Sequence, residues 1–86
     1  MEVLMKPVDM IATFAKDGTP RPLRLRIEEG DEAVVINVDK ILSKTHQKFG
    51  QYTNIIFQCQ GVINGRRRIF ELKFDRGACR WYMYRI

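Results

Sequence analysis

Asparagine-glycine at residues 64–65, inside "VINGRRRIF", restricts what this chain can fold into more than any other pair of residues. A two-residue type I′ turn needs positive φ at both central positions, which asparagine tolerates and glycine adopts freely, and its twist matches two antiparallel strands. Counting outward puts Cys59 opposite Phe70, Phe57 opposite Leu72 and Ile55 opposite Phe74, all on one face. The other face carries Gln60–Ile69, Gln58–Glu71 and Ile56–Lys73. The spacing predicts a hairpin with one buried face and Arg66-Arg67-Arg68 at its tip, beyond the last core pair.

A second hairpin is written in "PLRLRIEEGDEAVVINV". Alternation of Leu23, Leu25 and Ile27 with charged residues has the period of a half-buried strand. With Gly30-Asp31 as a type II′ loop, Ile27 faces Val34, Leu25 faces Ile36 and Leu23 faces Val38, so turn and hydrophobic pairing choose one register. The last strand, "CRWYMYRI", carries large residues on both faces. A three-residue loop after Asp75 would turn Arg80, Tyr82 and Tyr84 to the core; a two- or four-residue loop turns Cys79, Trp81 and Met83 there. Arg80 opposite Leu72 would bury an unpaired charge at a cost of several kcal/mol, which favours the second arrangement.

Upstream, "VDMIATFAKDGTPRP" reads as a first strand over residues 8–15, then a turn at Asp17-Gly18 and two prolines that end regular pairing. Between the hairpins, "DKILSKTHQKFG" places Ile41, Thr45 and Phe49 at i, i+4, i+8, with Lys40, Lys44 and Lys48 on the next stripe and Gly50 as a stop, which predicts a short helical connector. Eighty-six residues supply one core, so residues 1–86 form one domain. The fold expected is all-β: a small SH3-like barrel or sandwich of five to six antiparallel strands with one short helical connector.

The early "DGTPRPL" turn, the run of short strands and the closing "RWYMYR" resemble small SH3-like β-barrel modules of uncharacterised bacterial proteins, among them the WYL-type barrel. The likeness is specific only at Trp81-Tyr82-Met83, where methionine replaces the leucine of that motif. It implies an SH3-like barrel of a bacterial protein, and no site residues carry over.

Chemistry is sparse. His46 is the single histidine and sits in a basic segment without a nucleophile beside it, so it reads as a surface residue. Cys59 and Cys79 alternate with polar neighbours as buried core thiols do; on the expected registers they lie roughly 13 Å apart, too far for a disulfide. They are too few for a secreted staple framework and lack histidines at zinc-ligand spacing. No apolar run reaches the roughly 20 residues of a membrane span, and the opening lacks a signal-peptide pattern, so a cytoplasmic protein is expected. No catalytic, cofactor or metal site is expected.

Charge is the feature with chemical content. Residues 1–39 hold five basic and eight acidic residues, a balance of −3, whereas residues 40–86 hold ten basic and two acidic, a balance of +8. Arg66, Arg67 and Arg68 with Lys40, Lys44, Lys48 and Lys73 are candidates to neutralise phosphates, with Tyr82 and Tyr84 as stacking rings. The function expected is a non-enzymatic binding module with nucleic acid as partner. The alternative is a protein partner or a homodimer, buried against Ile56, Ile69, Tyr82 and Tyr84.

Overall fold

The computed structural model describes residues 1–86, with every side chain except that of Phe49. The Asn64-Gly65 hairpin forms as its sequence requires: Asn64 and Gly65 take φ of 52° and 78°, and Cys59↔Phe70, Phe57↔Leu72 and Ile55↔Phe74 are paired. Around it run β1 (Val3–Phe14), β2 (Pro20–Glu29), β3 (Glu32–Asn37), β4 (Lys40–Phe49), β5 (Tyr52–Ile63), β6 (Arg66–Asp75) and β7 (Arg80–Arg85). They make one seven-stranded antiparallel sheet in the order β3-β2-β1-β7-β6-β5-β4. The all-β expectation holds. The count of five to six strands does not, and the sheet is no closed SH3-like barrel, since β3 and β4 remain its two edges.

The sheet coils until its two ends share one core. Ile55, Phe57 and Cys59 of β5, Phe70, Leu72 and Phe74 of β6, and Trp81 and Met83 of β7 pack with Leu25, Ile27 and Ile36 from β2 and β3. Each large apolar side chain removed from water there contributes about 1.5–3 kcal/mol. β1 joins the two layers by pairing its first half with β7 and its second half with β2. Glu2 and Ile86 exchange two backbone hydrogen bonds of 3.0 and 3.2 Å. β3 and β4 run in the same direction, and the Val38–Asp39 bend carries the chain from one layer to the other. Gly61 permits that crossing, because a Cβ there would lie 2.4 Å from the Asn37 carbonyl oxygen.

Five expectations are corrected. The connector is strand β4, not a helix, and among the described residues no helix occurs. A helix of ten residues is marginal by itself, while pairing along β5 satisfies the backbone of a core strand. The four-residue lysine spacing misled because a bulge at Leu42 breaks the strand's period of two, leaving Lys40 and Lys44 on opposite faces of β4; the place of Phe49 on the apolar stripe lies outside the described side chains. The first strand begins at Val3, and Pro20 and Pro22 pair with Phe14 and Ala12 instead of ending the ladder. Leu23 is exposed, since a bulge at β2 shifts its inward phase from Pro20 and Pro22 to Leu25 and Ile27. The loop after Asp75 has four residues, which turns Trp81 and Met83 inward as expected but leaves Cys79 exposed in the loop at φ 57°.

The prolines also explain why the sheet stays open. Ala15 donates to the Thr19 carbonyl at 2.9 Å, and ladder bonds recur at every second residue, so Arg21 is bonded to β1. Pro20 and Pro22 therefore turn their missing N–H groups away from β1, toward the side where β4 would have to pair. A proline row on that side cannot donate to a closing strand.

Candidate nucleic-acid interface

Where the edges fail to meet, a groove of about 670 Å³ opens between the β1–β2 turn region and β4. Phe57 contributes to its floor and is held by Trp81, with ring centroids 5.6 Å apart. Arg21, Lys40 and Lys44 line the walls against one acid, Asp39. Phe14 stands at the rim, 57% exposed, with its ring edge-on to Phe74 at 6.3 Å. That contact fixes the ring while leaving surface free for stacking. The adjoining turn is set by Asp17, whose carboxylate accepts the Thr19 N–H at 2.9 Å. This bond holds the Asp17 pKa below the usual range, and the nearby Lys44 charge lowers it further.

The candidate residues drawn from sequence fall into four places. Lys40 and Lys44 meet in the groove although a bulge at Leu42 puts them on opposite faces of β4, level with Gln60 and Phe57. Lys48 lies farther along the same edge, opposite Thr53. Lys73, Tyr82 and Tyr84 gather on the outer face, where Lys73 faces Tyr82 and its Nζ stands 5.2 Å from the Tyr84 ring centroid. Arg66, Arg67 and Arg68 are exposed at the β5–β6 tip.

Of the outer-face aromatics, Tyr84 is already engaged. Arg85 Cζ lies 4.8 Å from the Tyr84 ring centroid, its Nη2 donates to the Tyr84 hydroxyl at 3.2 Å, and its Nε is 3.4 Å from Glu71 Oε1. The tyrosine hydrogen bond is the main reason the Arg85 pKa is raised. With Lys73 and Arg85 both against its ring, Tyr84 offers little surface to a base. Ile56, one of the residues named for a protein partner, is buried within the chain itself. A second depression, about 500 Å³ on the outer face of β1–β3, has its cations taken: Arg26 pairs with Asp9, and Arg24 Nε donates to Asn37 Oδ1 at 3.1 Å.

His46 is exposed opposite Ile55, and among the described residues no three His, Cys, Asp or Glu side chains gather as a metal cluster would require. No helix is long and apolar enough to cross a membrane. Sequence reasoning missed Phe14, Arg21 and Asn54. "PRP" carried a signal for Arg21, since paired prolines mark an edge; nothing local announces that Phe14 sits where the covering layer ends. Asn54 is nearly buried beside Tyr52 and Asp75, and its Oδ1 has no hydrogen-bond partner. Comparison with protein-family models, curated proteins and solved structures finds no match for this chain.

Proposed function

We propose that this chain is a non-enzymatic module that binds single-stranded nucleic acid in the groove left by the unclosed sheet. The carrying observation is the convergence of Arg21, Lys40 and Lys44 with the half-exposed Phe14 ring on one concave surface. Three cations supply the counterion-release contribution to binding, and a ring held edge-on by Phe74 supplies a stacking platform that accepts any base. A duplex fits poorly, because its bases are paired and stacked within the helix and cannot be laid on the Phe14 ring. The edge strand adds backbone donors and acceptors along β4, whose outer side has no neighbour in the sheet.

Fluorescence anisotropy with labelled single-stranded and duplex oligonucleotides tests the reading. Binding of the single strand is expected at about 50 mM salt, weakening with a log-log slope near −2, as three neutralised phosphates at about −0.7 each require. Phe14→Ala is expected to weaken it by about 1–3 kcal/mol. No binding of any oligonucleotide at about 50 mM salt would end the proposal.

A further inference from the structure

The β2–β3 and β5–β6 tips come together at one end of the molecule, and they carry opposite charge. Glu29 and Asn64 line the two sides of a narrow cleft together with Leu4, Ile63, Met83 and Ile86. The β2–β3 tip carries Glu28, Glu29, Asp31 and Glu32, of which Glu29 lines the cleft and Glu28 lies on the outer face near Arg26; the β5–β6 tip carries Arg66, Arg67 and Arg68, with Arg67 on the opposite face from the other two. Neither tip is neutralised internally, since the ion pairs among the described residues are Asp9–Arg26 and Glu71–Arg85. Leu4 in the cleft is exposed, as are its neighbours Val3 and Met5. A register shift between Val3 and Lys6, with Met5 at φ 47°, accompanies this exposed stretch. The surface therefore reads negative, apolar, positive.

We infer that this end is the contact surface for a second copy of the chain, forming a two-fold homodimer through the Val3–Met5 strip. A patch ordered negative, apolar, positive becomes its own complement when rotated by a two-fold axis through the apolar middle. Both acid-to-arginine contacts then form at once, with the apolar strip as the desolvated centre and the charges as the rim. A head-to-tail contact would satisfy one charge pair and leave the other tips open. Nucleic acid is the weaker occupant here, because the acidic β2–β3 tip at the same end of the molecule repels phosphate. The inference does not depend on the function proposed above, which uses a different surface.

Sedimentation equilibrium on the wild-type protein gives the first arm. At about 50 mM salt and high protein concentration the mass should approach twice the 10.1 kDa of the chain, falling toward 10.1 kDa at about 500 mM salt as the rim charges are screened. A mass of 10.1 kDa at both salts, or a dimer indifferent to salt, overturns the inference. The second arm uses two charge-reversed proteins, Glu28→Lys/Glu29→Lys/Asp31→Lys/Glu32→Lys and Arg66→Glu/Arg67→Glu/Arg68→Glu. Each alone should be monomeric. Mixed in equal amounts they should form the dimer, since every contact between unlike variants is attractive again; a mixture that stays monomeric overturns the two-fold arrangement. The wild-type salt series decides the matter if either variant fails to fold. A monomeric wild type whose arginine variant alone loses oligonucleotide binding would assign the tip to nucleic acid and overturn the dimer.

Discussion

The groove and the β5–β6 tip each hold three cations, Arg21, Lys40 and Lys44 in one and Arg66, Arg67 and Arg68 in the other, yet they are different surfaces. In the groove the charges converge on a concave wall beside an exposed ring and above a buried phenylalanine. At the tip they diverge from a hairpin end, Arg67 on the opposite face from Arg66 and Arg68, beside the acidic β2–β3 tip. Charge count alone does not make a site; curvature, a neighbouring aromatic and the sign of the next residues do.

The comparison can be sharpened first at the floor of the groove. Phe57 is fully buried against Trp81, so Phe57→Ala should destabilise the fold by about 3–5 kcal/mol in urea unfolding. A cost below about 1 kcal/mol would mean the groove floor is not part of the core. Next comes Gly61, which lies under the β3–β4 crossing. Gly61→Ala forces a methyl into the Asn37 carbonyl and toward the Phe70 ring, 3.2 Å away, and should cost about 1–3 kcal/mol. The tip stands at the other extreme. Converting Arg66, Arg67 and Arg68 to glutamate should alter monomer stability by no more than about 1–1.5 kcal/mol, because Asn64 and Gly65 set the turn without them.

The two thiols give the smallest effect and the cleanest contrast. Cys79→Ser, in an exposed loop, should change stability by less than about 0.5 kcal/mol, and a thiol reagent should modify Cys79 in the native protein. Cys59 should react only on unfolding, since burial pushes its pKa up to about 12. The fold favours the neutral thiol, so that stabilisation is complete below the ordinary thiol pKa and is lost as pH rises toward 12. Equal labelling of both cysteines in native protein would contradict the burial of β5.

What the sequence disclosed follows from which interactions are local. The β5–β6 register was legible in full because Asn64-Gly65 and the alternation of Ile55, Phe57 and Cys59 agree within twenty residues. The β2–β3 register was legible as far as Leu23, whose carbonyl accepts the Val38 N–H at 2.9 Å, but the burial of Leu23 was not, because a bulge dictated by β1 changes the phase there. β4 was unreadable because the bulge at Leu42 interrupts its period of two, and its pairing is decided by β5, a strand that comes later in the chain. The site divided in the same way. Lys40 and Lys44 were found from charge, but their partners Arg21 and Phe14 lie about 20–30 residues earlier and reach them only through the coiling of the sheet. Tyr84 looked like a free platform until the bulge at β7 brought Arg85 onto the same face as Glu71 and against its ring.

Two triple variants that change net charge equally test the central claim most directly. Arg21→Ala/Lys40→Ala/Lys44→Ala and Arg66→Ala/Arg67→Ala/Arg68→Ala each remove three positive charges, so any difference between them reports position. Titrated with the same single-stranded oligonucleotide between about 50 and 200 mM salt, the groove variant should lose about two units of log-log salt slope, while the tip variant should lose less than about half a unit. Equal losses, or a larger loss at the tip, would contradict the assignment of binding to the groove.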